Sequence, residues 1–222
     1  MTDLYHIGHV LAGPVAPLGD GGAVSGMHKR PVHGIVRITH VGIDIDAQAD
    51  LTVHGGPEKA IHHYPFDHYA TWRHELPPRA LLDQPGAFGE NLSTLGLTET
   101  DVAIGDVFRI GTAVLQVSQG RQPCWKLNVR FDTKDMALRV QQSGRSGWYY
   151  RVLEEGEVAP GACLERIERV TPAWSVRRIW QTLYVDRFDP DALAALAALP
   201  TVAENVRRQA RRRLASRGAG ES

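Results

Sequence analysis

The sequence predicts a mainly β protein, with a β-barrel-like core and peripheral helices over residues 1–170 and a small three-helix appendage over residues 171–222. Up to about residue 170, short β-prone runs are cut by glycine and proline, without the alternation of long helices and strands that indicates a parallel α/β fold. After Pro172 the apolar spacing becomes helical. A chain of 222 residues, 43% of them hydrophobic, can bury one sizeable core but not two full domains.

The clearest pair of strands is a hairpin that joins residues 106–110 to residues 113–118. Gly111-Thr112 puts a glycine first in a two-residue turn, as a type II′ turn requires. Further strands are expected where Val, Ile, Tyr and Leu recur between turn residues, at 5–11, 33–40, 147–153 and 164–170. Their pairing order cannot be derived from these patterns.

Helical spacing predicts two amphipathic helices that cover the barrel, at residues 66–76 and 134–143. The three helices of the appendage are expected at residues 176–184, 190–199 and 203–214. The last of them is rich in arginine, which raises the hypothesis of nucleic-acid binding. A solvated helix face, with cations near the C-terminus where the helix dipole favours them, explains those arginines more simply.

The composition limits the classes of function. Lysine plus arginine equals aspartate plus glutamate at 25 each, so no net field draws the chain to nucleic acid or to an anionic membrane, and a small-molecule partner is expected. No signal-peptide pattern and no run of eighteen apolar residues occurs, which predicts a cytoplasmic protein. Cys124 and Cys163 are too few for a disulfide framework, a four-cysteine zinc site or an iron–sulfur cluster.

The segment Ser118–Asn128 has the most pronounced chemical character of the chain. It follows directly from the hairpin strand, and a loop on a rigid strand is a common place for a functional group. Arg121 and Lys126 flank Cys124, and nearby cations favour the thiolate, which attacks electrophiles and binds soft metals. On local context alone Cys124 is equally well explained as an inert buried residue, and Cys163 is expected to fill the core.

Histidines, glycines and a few polar side chains supply further candidates. All ten histidines lie in the first 74 residues, and their spacing around residues 55–59 favours structural or phosphate-contacting roles over a zinc site. Lys59, beside Gly55-Gly56, could approach a phosphate. Glu90 and Asn91, which follow Gly89, could hydrogen-bond a flat polar ligand such as a pterin.

Four segments in order resemble the YiiM-type branch of the MOSC family, the domain also found at the C-terminus of molybdenum-cofactor sulfurases. They are ADLTVHGGPEKA (49–60), GAFGENLSTLGL (86–97), QGRQPCWKLN (119–128) and SGRSGWY (143–149). The resemblance spans about residues 35–170, and the C-terminal helices are similar to the three-helix extension of that branch. Two positions depart from the family's usual pattern: Gly120 stands in place of a proline, and the segment at 42–46 lacks its second glycine.

The resemblance implies a β-rich barrel in which Cys124 either ligates the molybdenum of a molybdopterin cofactor or carries sulfur as a persulfide. Members of this branch are associated with reducing N-hydroxylated bases and related compounds, so the leading expectation is a reductase with a cysteine-ligated molybdenum. The resemblance assigns cofactor-binding roles, to the phosphate or to the edge of the pterin ring, to Lys59, Glu90, Asn91, Gln119, Arg121 and Lys126. His54 or His63 is the candidate to deliver a proton, because an imidazole titrates near neutrality.

The resemblance also implies an external reductase as electron donor, since the chain has no ligands for an iron–sulfur cluster. No membrane or nucleic-acid partner is expected, and a homodimer is left open. Pyridoxal phosphate belongs to the sulfurase domain that accompanies MOSC domains elsewhere, and it is not expected in this chain. Two alternatives stay open: a sulfur-carrier or cofactor-handling module with a persulfide on Cys124, and a noncatalytic protein that binds through the arginine-rich helix.

Overall fold

The architecture is that of a closed β-barrel with helices around it, and a computed structural model describes it for residues 3–49 and 55–218. The described strands are β1 (Asp3–Ala12), β2 (Ala16–Leu18), β3 (Ala23–Ser25), β4 (Arg30–Pro31), β5 (Val36–Thr39), β6 (Gly42–Ile43), β7 (Ile61–His63), β8 (Leu92–Thr94), β9 (Val107–Ile110), β10 (Ala113–Gly120), β11 (Trp148–Glu154), β12 (Gly156–Val158) and β13 (Cys163–Glu168). The described helices are α1 (Asp67–Glu75), α2 (Lys126–Arg130), α3 (Met136–Ser143), α4 (Val176–Tyr184), α5 (Pro190–Ala198) and α6 (Glu204–Gly218). The predicted mainly β fold class is therefore confirmed.

Seven strands close the barrel in the order β13-β9-β10-β11-β7-β8-β1, and β1 pairs again with β13. All neighbours are antiparallel except β7 and β8. β1 closes the ring because its first half pairs with β13 and its second half with β8, across an irregularity between Ile7 and Val10. The predicted strand at 33–40 is β5, which lies outside the barrel in a small sheet with β6 and β12.

The predicted hairpin is β9 and β10, with Ala113 opposite Ile110. Gly111 has a φ of 57°, the positive value that the first position of a type II′ turn requires. A Cβ built at this glycine would lie 2.1 Å from the carbonyl oxygen of Glu157. The turn therefore needs glycine for two reasons, its backbone angle and the close approach of β12.

Two hydrophobic clusters hold the fold together. The larger fills the barrel and continues into the C-terminal helices, where Ile179, Leu196 and Val206 are buried with it. The smaller lies beneath α1, α2 and α3 and is built around Trp72 and Phe88. Because the C-terminal helices share the barrel's cluster, they are fixed against its surface.

Capping residues explain where two C-terminal helices begin. The Ser175 hydroxyl accepts a hydrogen bond from the amide of Arg178, at 3.1 Å, and starts α4 at the predicted residue. The Asp189 carboxylate accepts bonds from the amides of Asp191 and Ala192 and starts α5, with proline at its first position. None of the helices in the described ranges is long and apolar enough to cross a bilayer.

We expect Gly111→Ala to lower the free energy of unfolding by about 2–4 kcal/mol, because it adds a steric clash to an unfavourable backbone angle. Gly161→Ala is the matched control: its φ is 78°, but a Cβ there would meet no atom within 4 Å. Gly161→Ala should lower the free energy of unfolding by only about 1 kcal/mol. Urea denaturation of both variants measures the difference, and equal losses would contradict the close approach to Glu157.

Candidate functional site

A cleft at one end of the barrel collects most of the chemically active side chains. It encloses about 650 Å³, part of it open to solvent, which is within the range of about 300–1,000 Å³ typical of small-molecule sites. The ends of β7, β10 and β11 and the loops beside them form its walls. Its described lining consists of Ser25, Gly26, Met27, Lys29, Asp46, Ala47, Gln48, Ala49, Lys59, His62, Phe88, Gly89, Asn91, Arg121, Gln122, Cys124, Lys126 and Tyr149.

The loop between β10 and α2 presents Cys124 to this cleft. The amide of Arg121 donates to the carbonyl of Gly147, at 3.0 Å, and this bond ties the loop to the start of β11. The amide of Leu127 donates to the carbonyl of Cys124, so the first turn of α2 follows the thiol immediately. Cys124 is half-buried, with its side chain in the lining of the cleft.

Side chains alternate between the two faces of β7, so only one of its two histidines faces the cleft. His62 pairs with Tyr149 on β11, their rings 5.0 Å apart, and both line the cleft. His63 is the next residue and therefore points into the barrel, where it is fully buried and stacks on Trp148 at 4.3 Å. The structure thus brings His62 to the site and keeps the candidate proton donor His63 away from it. His54, the other candidate, lies outside the described residues.

The ring of His63 is held as a structural element of the barrel. Its Nδ1 lies 3.1 Å from the hydroxyl of Tyr150, and its Nε2 lies 2.9 Å from Oγ1 of Thr94. Burial lowers the pKa of His63 to about 3, so the ring is neutral at physiological pH. A neutral, fully bonded imidazole inside the barrel serves packing, and we assign it no proton transfer.

Positive charge dominates the described lining of the cleft. It contains Lys29, Lys59, Arg121 and Lys126 against a single carboxylate, that of Asp46. Lys29 forms an ion pair with Asp46 in which both side chains are almost completely buried. Burial lowers the pKa of Lys29, and the adjacent Asp46 opposes that change. The described lining thus has more cations than carboxylates, which suits an anionic ligand.

Asp46 organises the floor of the cleft. One carboxylate oxygen accepts from the amide of Gly13, at 2.9 Å, and the other accepts from Lys29 and from Nδ2 of Asn91. Asn91 in turn accepts from the amide of His62 through Oδ1, at 3.0 Å. Sequence patterns did not identify Lys29 or Asp46 as residues of the site. Asp46 lies in the segment 42–46, which the family pattern covers, whereas no motif includes Lys29.

Glu90 and Gln119 do not face this cleft. Glu90 is fully buried, and its carboxylate accepts from the amides of Gly86 and Phe88, at 2.7 and 3.0 Å, and from the hydroxyl of Tyr69. Burial raises the pKa of Glu90, and these donors oppose the rise. Gln119 donates to the carbonyl of Glu58 and accepts from Asn205 of α6. Both side chains bond to neighbouring segments of the protein.

Cys163 occupies a different surface from Cys124. It begins β13 and is half-buried, with its sulfur 3.9 Å from Nδ1 of His6 on β1. The predicted core position belongs to the next residue, Leu164, which is completely buried. The expectation that Cys163 fills the core is therefore wrong, because strand alternation turns its side chain outward.

Several buried polar atoms at the cleft have no hydrogen-bond partner among the described residues. They include Nε2 of His62, Nη1 of Arg121 and Oε1 of Gln48. Such atoms cost about 1–3 kcal/mol each when they stay unsatisfied, so a ligand that bonds them would be favoured. Burial and the neighbouring Arg121 hold the pKa of His62 well below its usual range, which keeps its ring neutral.

The residues fit a metal that arrives with ligands of its own. Within the described ranges, no three His, Cys, Asp or Glu side chains are grouped to hold a metal ion. The thiol of Cys124 is a single soft ligand beside a cationic cleft with unpartnered polar atoms. This donor set suits an anionic, hydrogen-bonding organic cofactor whose metal needs one protein thiolate.

The chain combines a seven-stranded barrel with one thiol beside a cationic cleft, and a family model, "MOSC domain", matches residues 50–165, which include the loop that carries Cys124. The chain belongs to the MOSC family. Its C-terminal helices match the "YiiM-like, 3-alpha helix domain" over residues 174–217, which confirms the branch that the motifs indicated. MOSC domains are associated with binding of the molybdenum cofactor.

Known proteins of the same branch resemble the chain over most of its length. Protein YiiM of Escherichia coli is 48% identical over 150 residues, which cover 68% of this chain and 67% of that protein. The crystal structure of YiiM from Geobacillus stearothermophilus has a TM-score of 0.80 at 34% identity and covers 96% of this chain and 100% of that one. A protein of Gibberella moniliformis named "Reductase" is 37% identical over 86% of this chain, but the match covers only 34% of that protein.

The buried histidine predicts a pH dependence of stability. The pKa of His63 is about 3 in the folded state, against an ordinary value of 6.5. Below pH 6.5 the unfolded chain therefore binds a proton at this residue that the folded protein does not bind. The stability of the fold is thus undiminished by His63 above about pH 6.5 and decreases as the pH falls towards 3. Each pH unit in this window should remove about 1.4 kcal/mol per such histidine.

His63→Gln should therefore reduce the slope of unfolding free energy against pH between pH 6 and pH 4, whatever its effect on absolute stability. Denaturant unfolding at several pH values measures this slope. His74→Gln, on the exposed side of α1, is the control and should leave the slope unchanged. A slope in His63→Gln equal to that of the unmodified protein would contradict the buried, neutral ring.

Proposed function

We propose that this chain binds a molybdenum cofactor in the cleft beside Cys124 and reduces N-hydroxylated compounds with electrons from a separate reductase. The observation that supports the proposal most directly is the single half-buried thiol in a cleft whose described lining has four cations and one carboxylate. A small dianionic phosphate and a soft metal are the chemical groups that such a lining favours.

The cations take different parts in binding the cofactor. Arg121 and Lys126 flank the thiol in sequence and line the cleft with it, so they are the proposed contacts of the cofactor's phosphate, together with Lys59. Arginine offers a planar pair of donors and lysine a compact charge. Lys29 is already paired with Asp46, and we propose that it supports the floor.

Neutral hydrogen-bonding groups suit the heterocycle. The unpartnered Oε1 of Gln48 can accept from a ring N–H. A hydrogen bond to the backbone of Gly89 orients His62 and leaves Nε2 as the acceptor of a neutral ring. Asn91 positions His62 through its amide, and we propose that it contributes indirectly, since its carbonyl and amino group already have protein partners.

The cofactor, when bound, supplies the two-electron redox chemistry that removal of oxygen from an N–OH group requires. The overall change takes two electrons and two protons and yields an amine and water. Among the residues of the chain, Arg121 balances the negative charge of the cofactor's phosphate, and His62 accepts a hydrogen bond from the heterocycle without adding charge. Protons enter through the open side of the cleft.

The electron donor is proposed to be another protein. The two cysteines are too few for an iron–sulfur cluster, so the chain contains no electron relay of that kind. The relative named "Reductase" matches this chain over about one third of its own length, which supports a reductive role but one performed within a longer protein. We propose that the reaction takes place in the cytoplasm, where a thiol such as Cys124 stays reduced.

Cys124→Ala should abolish retention of molybdenum, because it removes the one thiol of the cleft. The measurement is molybdenum and released pterin per chain, on protein purified without oxygen from a host that makes the cofactor. Cys163→Ala removes a cysteine of similar exposure outside the cleft and should retain both at the level of the unmodified protein. If the unmodified protein is purified without metal but accepts sulfane sulfur on Cys124, this result contradicts the proposal and supports a sulfur carrier.

Lys126→Gln should lower the pterin retained per chain by about tenfold, because one charge-assisted contact to a phosphate contributes roughly 1.4 kcal/mol or more. Lys134→Gln makes the same change of charge at an exposed position outside the cleft. It should leave the pterin content unchanged. Equal effects of the two substitutions would mean that only the overall charge matters, and would count against phosphate binding at Lys126.

A further inference from the structure

A second cleft lies between the end of the barrel and the C-terminal helices. It encloses about 430 Å³, part of it open to solvent, so it also has the size of a small-molecule site. Helices α4 and α6 form its apolar wall, where Ile179, Leu183 and Val206 are buried and Trp180 and Tyr184 are half-buried. The barrel side is polar.

The two clefts are joined through the cysteine loop. Arg121 and Gln122 line both of them, and Cys124 follows two residues later. Arg121 is only 7% exposed, and its Nη1 finds no partner in the described part of the chain. Burial raises the pKa of Tyr149 in the first cleft, and the Arg121 guanidinium beside its hydroxyl opposes the rise. One arginine thus stands between the thiol and the second cleft with a donor still available.

The side chains of the second cleft are held in place before any ligand arrives. Nε1 of Trp180 donates to the carbonyl of Gln141, at 2.6 Å, and the Arg177 guanidinium lies 4.2 Å from the centre of its ring. Asn205 donates to Gln119, at 2.8 Å. Because these groups do not have to be ordered on binding, the cleft is preorganised.

The chemistry of the cleft suits one class of group. Aromatic rings on one wall favour a flat partner, and Gln122, Asn205 and Gln209 place side-chain amides in the lining. Asn205 already donates to Gln119 and Gln209 already bonds to Tyr184, so the carbonyl oxygen of Asn205 and the amide of Gln122 are the groups that the edge of a ring would meet. No carboxylate occurs in the described lining, so a group with a fixed positive charge has no counterion there. A neutral nitrogen heteroaromatic ring satisfies all three conditions.

We propose that the second cleft binds the heteroaromatic ring of the substrate, with Tyr184 as a specificity-determining residue, so that the N–OH group extends past Arg121 towards Cys124. The inference rests on the proposed function and adds to it the place where the ring binds. Substrate and cofactor then occupy different clefts that meet at Arg121. The C-terminal helices provide the aromatic wall that selects the ring of the substrate.

Binding of adenine to the full chain without cofactor tests the site independently of turnover. Stacking of a base on an aromatic side chain contributes about 1–3 kcal/mol, so Tyr184→Ala should weaken adenine binding by about tenfold in calorimetry. Tyr184→Phe keeps the ring and should restore the affinity. Phe188→Ala, which removes an exposed ring of the same helical region outside the cleft, is the control and should have no effect. Adenine binding that is absent, or that is unaffected by Tyr184→Ala, would overturn the proposal.

Turnover separates this inference from the proposed function. With loaded protein and a reductant, Tyr184→Ala should raise the KM for an N-hydroxylated purine by about tenfold and leave the kinetics of hydroxylamine, which has no ring, unchanged. Equal losses for both compounds would indicate a structural role and overturn the subsite. If the loaded protein reduces neither compound but adenine binding still depends on Tyr184, the subsite stands and the proposed reduction fails.

Discussion

The buried carboxylate of Asp46 is the interaction on which the candidate site depends. It joins the end of β1 at Gly13, the side chain of Lys29 and the amide of Asn91, which lie far apart in the sequence. Removing one partner of such a buried pair leaves an uncompensated charge and typically costs about 3–5 kcal/mol. Through Asn91 the same network sets the backbone of His62. The floor of the cleft is therefore a single hydrogen-bonded network, which supports the walls that carry the cations.

The loop after β10 is the second organising element, because it belongs to both clefts at once. Its position is set from two sides: the amide of Arg121 bonds to the residue before β11, and Gln119, at the end of β10 just before the loop, is held by Asn205 of α6. The C-terminal helices thus reach the thiol through one loop, although they contribute no described residue to the first cleft. A barrel of this size has little interior space for a ligand. Its chemistry is accordingly placed at the rim, where strand ends and added helices meet.

Much of this arrangement could be predicted from the sequence, and the failures have physical causes. The fold class, the Gly111 hairpin and the start of α4 follow from local patterns, because turns and caps are decided by neighbouring residues. Pairing order is a property of distant segments, so the place of β5 outside the barrel could not be derived. Which residues of a strand face a site depends on the register, and local patterns do not give the register; they therefore indicate His63, whereas His62 faces the cleft. Proximity to a motif also does not tell which polar side chains face a cleft: the carboxylate of Glu90 is buried and bonded within its own loop.

Closure of the barrel by β1 has a consequence for how the chain folds. Asp3 pairs with Arg166, so the first strand cannot complete its ladder until almost the whole barrel sequence has left the ribosome. Contacts of such long sequence separation fold slowly, since a large loop must be ordered before they form. During synthesis the edge of β1 is an unpaired strand that can pair with other chains. β8, which is synthesised before β13, pairs with the second half of β1 and so covers that part of its edge earlier.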